Sequence, residues 1–141
     1  MRTSPLRSRR ATPDLSLLAV APFAHYSQRA VRPLAEHVDR LRLRKGTELV
    51  REHQRADEFV VVLSGEVIAQ CDGQEVGRLG AGTHIGATEL LHGTRHPHTL
   101  LASCDLDVLV VNGPSFRWAA QTLPGFAEAL LAGVATPLPR C

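Results

Sequence analysis

The chain of 141 residues contains no long hydrophobic run. Its N-terminal apolar stretch, residues 17–23, is interrupted by Pro22, whereas a membrane-spanning helix needs roughly 18 or more apolar residues in a row. The apolar block of a secretory signal is also missing after the arginine-rich N-terminus. We therefore expect a soluble, cytoplasmic protein, and the length is typical of one domain.

Cysteine is scarce, and the three cysteines, Cys71, Cys104 and Cys141, do not have the spacing of a metal site. An odd number of cysteines without a signal peptide argues against a disulfide framework, so we expect all three to be unpaired. The sequence also has no Gly-x-Ser-x-Gly elbow and no pair of carboxylates placed as acid and base. These absences indicate that the protein is not an enzyme.

Acidic residues are absent from the first ten positions, which hold Arg2, Arg7, Arg9 and Arg10. Because the whole chain has a net charge of +2, removing these four charges leaves the rest at about −2. The body of the protein is therefore not a basic surface for nucleic acid, and no helix-turn-helix pattern follows residue 134. We expect residues 1–13 to form a disordered basic tail and residues 136–141 a loose C-terminal tail.

Short apolar segments separated by turns fill the middle of the chain, and they predict seven or eight strands. Strands are expected at residues 39–44, 48–51, 58–63, 66–71, 74–79, 99–104 and 106–111. Asp72-Gly73 is a strong hairpin signal. This spacing is typical of a sandwich or jelly roll. The predicted core consists of Phe59, Val61, Leu63, Val67, Leu79, Leu109 and Val111.

Predicted helices precede and follow the strands, which excludes a parallel α/β sheet. Asp14 can cap a first helix through Ala19, and Ser27 a second helix whose apolar positions extend to Val38. We expect Phe23 to be buried in the core. Asn112-Gly113-Pro114 should break the sheet before a helix capped by Ser115, and residues 126–134 should form the last helix.

A glycine-rich stretch, residues 82–99, joins two of the predicted strands. Gly82 and Gly86 open it, residues 87–92 favour a short helix, and Gly93 should end that helix. Unpaired N–H groups at a helix N-terminus, together with the helix dipole, can bind an anion. The stretch therefore predicts either a phosphate-binding loop or a simple connection between strands.

Four segments within residues 15–134 form a recognisable set when taken with the order of these elements: Leu-Ala-Val-Ala-Pro-Phe at 18–23, Arg-Lys-Gly-Thr-Glu-Leu at 44–49, Asp-Glu-Phe-Val-Val-Val-Leu-Ser-Gly-Glu-Val at 57–67, and Gly-Thr-His-Ile-Gly at 82–86. Together they resemble the cyclic nucleotide-binding domain family, which includes the cAMP receptor protein and the regulatory subunits of protein kinase A. The resemblance implies a mainly β domain at residues 14–135, an antiparallel, jelly-roll-like β-roll with a short inserted helix and flanking N-terminal and C-terminal helices. It implies a non-enzymatic sensor or regulatory module without a cofactor, whose ligand would be cAMP or cGMP.

The resemblance also places the ligand at residues 86–99, which we call the cassette. Its implied ligand-binding residues are Gly86, Ala87, Thr88, Glu89, Arg95, His96, His98 and Thr99. Ala87 stands where the family has a glutamate that binds the ribose. Without that hydrogen-bond partner, the free energy of ligand binding weakens by roughly 1–3 kcal/mol. His96 stands where the family has the phosphate-binding arginine. Replacing that arginine with a largely neutral histidine weakens the free energy of ligand binding by roughly 2–4 kcal/mol. We therefore expect affinity weakened by a hundredfold to a hundred-thousandfold, to order of magnitude.

Arg95 lies one residue before the family's arginine position, and neighbouring side chains on a strand point to opposite faces. His53 replaces a glycine that the family usually has before the long strand.

Two alternatives share this architecture. The first is a module with a decayed pocket that binds another protein. The second is a small metal-binding protein of the cupin type, because His84, His92, His96 and His98 lie close together, although the cupin ligand signature is absent. We expect an unidentified protein partner, contacted through the N-terminal or final helices, and a monomer or weak homodimer. The final helix is too short for a long coiled coil.

Overall fold

The computed structural model describes Phe23 and residues 26–132, the last two without their side chains. The predicted tails at 1–13 and 136–141 and the helix capped by Asp14 lie outside these residues. The elements, in chain order, are α1 (Gln28–Ala35), β1 (Val38–Leu43), β2 (Glu48–Val50), β3 (Glu58–Ser64), β4 (Val67–Cys71), β5 (Gln74–Leu79), β6 (His84–Ile85), α2 (Ala87–His92), β7 (Thr99–Ala102), β8 (Leu106–Asn112), α3 (Gly113–Thr122) and α4 (Phe126–Ala132).

The strands form two antiparallel sheets of four strands each, ordered β1-β8-β3-β6 and β2-β7-β4-β5. The connections between consecutive strands are turns, loops or the short helix α2, and none is the long crossover helix that links parallel neighbours. The predicted antiparallel β-roll with an inserted helix is therefore confirmed. The sequence reading missed β6, a strand of two residues inside the glycine-rich stretch.

The domain has two hydrophobic cores, whereas the sequence predicted one. The outer core lies between the helices and β3 and β8, and it includes Phe59, Val61, Leu109 and Val111 together with the buried Phe23. The inner core lies between the two sheets and includes Val67. Consecutive residues of β3 alternate between these cores, so the strand is apolar on both faces. Leu63 and Leu79, which the prediction placed in the core, are only half-buried at its edges.

Two helix boundaries differ from the prediction. Ser27 does cap α1, since its hydroxyl accepts a hydrogen bond from the N–H of Ala30, but Val38 begins β1 instead of continuing the helix. At the other end of the sheet, Asn112 caps α3 through a 2.8 Å bond from the N–H of Ser115. Asn112-Gly113-Pro114 therefore starts a helix, because asparagine is a good N-cap and proline is tolerated in the first turn.

The cysteine prediction is wrong in one respect. Cys71, which is buried at the end of β4, is disulfide-bonded, whereas Cys104 is a free and exposed thiol. Among the described residues, none of the helices has the length and the apolar character that crossing a membrane requires.

Candidate functional site

The cassette starts directly after β6, whose residues pair with Val60 and Val61 of β3. Gly86 follows with φ of 94° and acts as the N-cap of α2, and its carbonyl oxygen accepts a 2.9 Å hydrogen bond from the N–H of Leu90. A Cβ atom at this position would overlap the carbonyl oxygen of Glu58 on β3. Gly86 therefore meets two requirements that only glycine satisfies together, a left-handed backbone and close approach to a neighbouring strand.

The helix of the cassette is short, and Gly93 ends it with φ of 69°. The N–H of Thr94 bonds to the carbonyl oxygen of Glu89 at 3.1 Å, so the chain turns back immediately. Both predicted glycine positions, one before and one after the helix, are thus observed. They hold α2 between β6 and the segment that leads to β7.

Glu89 brings a carboxylate to the first turn of α2. Its side chain is half-buried and hydrogen-bonds to its own backbone N–H. Burial raises the pKa of Glu89, while that hydrogen bond and the nearby His92 and His98 act in the opposite direction. One N–H group that a phosphate would need is therefore already satisfied by an internal anion.

The loop between β2 and β3, residues 51–57, contacts the end of the cassette. The N–H of His53 bonds to the carbonyl oxygen of His96 at 2.8 Å, and the N–H of His96 bonds to the carbonyl oxygen of Gln54 at 2.9 Å. Arg55 and Arg95 form an antiparallel bridge beside these bonds. The backbone around His96 is therefore fixed from both sides, although residues 53–55 are about forty positions away in sequence.

The side chains of this segment alternate in burial. His96 and His98 are buried, whereas Arg95 is exposed and its Nη1 atom donates a 2.9 Å hydrogen bond to the carbonyl oxygen of His53. Arg95 and His96 consequently lie on opposite sides of the loop, as the strand alternation predicted. The structure places His96, and not Arg95, in the interior.

Burial controls the charge of His96. It lowers the pKa of the imidazole because the charged form is poorly solvated, and the carboxylate of Asp57 acts in the opposite direction. His96 is therefore mostly neutral at pH 7, more so than an exposed histidine.

Thr99 does not share the interior with His98. Its hydroxyl accepts a 3.1 Å hydrogen bond from the N–H of Glu52. The side chain of Thr99 also lines an open cavity of about 460 Å³, whose other lining residues are Glu48, Arg51, Glu52, Gln70 and Leu101. In this structure Thr99 therefore stabilises the loop that precedes β3 through this hydrogen bond.

The histidines give no support to the cupin alternative. Among the residues that the structure describes, no group of three or more histidine, cysteine, aspartate or glutamate side chains is arranged to hold a metal ion. His84 instead lies against the ring of Phe59, with a centroid distance of 5.9 Å.

Residues 40–122 match the sequence profile of the cyclic nucleotide-binding domain, which is more than half of the chain. The chain belongs to the cyclic nucleotide-binding domain family. The resemblance seen in the sequence motifs is thereby confirmed.

The chain is similar in sequence or in fold to several known proteins. A segment of 70 residues, 50% of this chain, is 47% identical to the uncharacterised protein Rv0104 of Mycobacterium tuberculosis, and it spans only 14% of the length of that curated relative. The fold is similar to that of a regulatory subunit of a cAMP-independent protein kinase A from Trypanosoma brucei, solved as a triple mutant bound to cAMP, with a TM-score of 0.71, 17% identity and coverage of 86% of this chain and 45% of that one. It is also similar to a mutant of the cAMP-binding acyltransferase from Mycobacterium smegmatis, with a TM-score of 0.67, 26% identity and coverage of 83% and 38%.

In this cyclic nucleotide-binding domain, position 87 of the cassette carries an apolar side chain. Ala87 is buried and belongs to the outer core with Leu90, and Thr88 beside it is half-buried. A methyl group cannot hydrogen-bond to a ribose, so the structure offers no side chain at position 87 for that hydroxyl.

His53 keeps a glycine-like backbone in this domain. Its φ is 69°, in the left-handed region that costs a non-glycine residue about 1 kcal/mol or more. We expect His53→Gly to change the free energy of unfolding by less than about 1 kcal/mol, because relief of strain offsets the greater freedom of the unfolded chain. Gln54→Gly, the matched control at an exposed neighbour without positive φ, should lose about 0.5–1 kcal/mol. Urea unfolding measures both changes, and a larger loss for His53→Gly than for Gln54→Gly would contradict this explanation.

Proposed function

We propose that this domain is a non-enzymatic cyclic nucleotide sensor or regulatory module whose affinity for cAMP or cGMP is weakened. One observation carries the proposal: the cassette forms a short helix between the left-handed Gly86 and Gly93, and its inward position holds the buried His96. The family match supports the class of ligand. In this proposal Gly86, Ala87, Thr88 and Glu89 face the phosphate through their backbone.

Three features lower the expected affinity. Ala87 gives the ribose no hydrogen-bond partner. His96 is held neutral by burial, so it lacks the permanent charge and the planar fork of an arginine. Glu89 keeps a carboxylate on its own backbone N–H, where it opposes an incoming anion whenever it is ionised.

The second candidate is an interaction module of the same fold with no nucleotide in its pocket. The observation that favours it is the burial of both His96 and His98, which fill the inward face of the cassette. Under either candidate we propose an unidentified protein partner that contacts the N-terminal or final helices, and a monomer or weak homodimer.

Calorimetric titration with cAMP and cGMP separates the two candidates. The sensor proposal expects saturable binding in the range of about 0.1–10 mM, which corresponds to roughly 3–5 kcal/mol of binding free energy. A control with adenosine, which has no phosphate, should show at least tenfold weaker binding. Absence of binding at 10 mM would favour the interaction module, and affinity for adenosine equal to that for cAMP would refute a role for the phosphate.

The affinity for cAMP should increase on acidification, by at least about fivefold from pH 7.5 to pH 5.5. His96 carries a positive charge only when it is protonated. Because burial lowers its pKa, the gain in affinity should occur at a pH below the usual histidine pKa of about 6.5. The raised pKa of Glu89 acts in the same direction, since this carboxylate loses its repulsive charge at a higher pH than an ordinary glutamate. The other ionisable side chains that act on this site are Asp57, which influences His96, and His92 and His98, which influence Glu89.

Titrations at several pH values measure this dependence, and His96→Gln should remove most of it. His37→Gln, at an exposed histidine between α1 and β1, is the matched control and should leave the pH dependence unchanged. Affinity that is equal at pH 7.5 and pH 5.5 would show that neither His96 nor Glu89 faces the ligand.

A further inference from the structure

Two arginines face each other on the outer surface of the cassette. Arg55 and Arg95 are directly opposed in an isolated antiparallel bridge, and both are exposed. Directly opposed residues of an antiparallel pair lie on the same face, with Cβ atoms about 5 Å apart. The two guanidinium groups therefore extend from adjacent points on one surface.

No carboxylate neutralises this arginine pair among the described residues. Other arginines of the domain do have such partners: Arg40 pairs with Asp107, Arg51 with Glu48, and Arg78 with Glu66 and Glu75. Arg55 and Arg95 form no ion pair within the described part of the chain. Like charges held directly opposite destabilise a strand pair, so this arrangement lowers the stability of the domain when no anion is present.

The orientation of Arg95 is partly fixed. Its Nη1 atom donates to the carbonyl oxygen of His53 at 2.9 Å, and the left-handed backbone of His53 directs that carbonyl group. A guanidinium group has five N–H donors, so four remain for an external acceptor. Asp57, two residues after Arg55, acts electrostatically on His96.

We propose that Arg55 and Arg95 form a surface site for a phosphate dianion, separate from the nucleotide pocket of the cassette. A tetrahedral dianion presents enough oxygen atoms to accept hydrogen bonds from two guanidinium groups at once, and it neutralises both charges. The ligand is either free phosphate or a phosphate monoester. This site does not depend on the proposed cyclic nucleotide function, because Arg55 lies outside the cassette and Arg95 points away from its interior.

Titration with inorganic phosphate and with 5′-AMP tests the site. It is done at pH 7.5 because His96 is mostly neutral at that pH and adds no charge that would attract the phosphate. Sodium chloride at matched ionic strength corrects for general screening. Both phosphates should bind, and Arg55→Gln and Arg95→Gln should each weaken binding at least tenfold. Arg44→Gln, at an exposed arginine in the turn after β1, removes the same charge elsewhere and should change affinity by less than twofold. Stronger binding of 5′-AMP than of phosphate would identify a monoester as the ligand.

A second readout uses the protein without added anions. At low ionic strength Arg55→Gln should raise the melting temperature, or at least not lower it, because the repulsion with Arg95 is removed. The proposal is overturned if phosphate binds no better than chloride, or if both glutamine variants bind phosphate like the unmodified protein. Arg55→Gln should leave the affinity for cAMP unchanged within twofold, so loss of the surface site and failure of the nucleotide proposal are distinguishable.

Discussion

The variant that carries both Ala87→Glu and His96→Arg should bind cAMP at least ten times more tightly than the unmodified domain. This gain corresponds to about 1.4 kcal/mol. The arginine supplies a permanent charge and a fork for the phosphate, and the glutamate supplies an acceptor for the ribose hydroxyl. Position 96 already points inward, and the carboxylate of Asp57 already favours positive charge there.

The two substitutions should also be measured singly, because their structural contexts differ. Ala87 belongs to the outer core, so Ala87→Glu alone should lower the free energy of unfolding by about 1–3 kcal/mol. His96→Arg alone should account for most of the gain in affinity. His92→Arg is the matched control, since it adds a charge on the exposed end of α2 and should improve affinity by less than twofold. A folded double variant with no gain in affinity would show that position 96 does not contact the phosphate.

Gly86→Ala should lower the free energy of unfolding by about 3 kcal/mol. The positive φ of 94° would strain an alanine, and the added Cβ would overlap the backbone oxygen of Glu58. Because that oxygen belongs to the backbone of a central strand, the overlap cannot be relieved by a side-chain rotation. Either β6 must separate from β3 or the cassette helix must move.

Gly82→Ala separates these two causes. Gly82 has a similar φ of 90°, but a Cβ atom there would meet nothing within 4 Å. Gly82→Ala should therefore lower the free energy of unfolding only by the conformational strain, about 1 kcal/mol. Chemical denaturation of both variants measures the difference, and an equal loss at the two glycines would show that the approach of Gly86 to Glu58 is not what fixes the cassette.

Local patterns predicted most of the fold. The Ser27 cap, the apolar β3 segment and the Asp72-Gly73 hairpin each depend on a few neighbouring residues, and each appears as predicted. The errors come from tertiary context. Val38 continues a helical period in the sequence, yet it pairs with Val111 on β8, and backbone hydrogen bonds across a sheet override a local preference.

The candidate site was predictable only in part. The two glycines around α2 and the opposite orientations of Arg95 and His96 follow from spacing, and both are observed. The contact between residues 53–55 and residues 95–96 was not predictable, because nothing in either segment indicates a partner about forty positions away. The same long-range pairing opposes Arg55 to Arg95, a juxtaposition that the sequence gives no sign of.

Backbone amide chemical shifts, followed by NMR during titration with cAMP at pH 6, test the central claim most directly. The proposal predicts that the largest changes occur at Gly86, Ala87, Thr88, Glu89 and His96, and that they saturate only at millimolar nucleotide. Changes confined to residues outside the cassette, or saturation at micromolar nucleotide without any shift at Gly86 to Glu89, would contradict the weakened cassette as the ligand site.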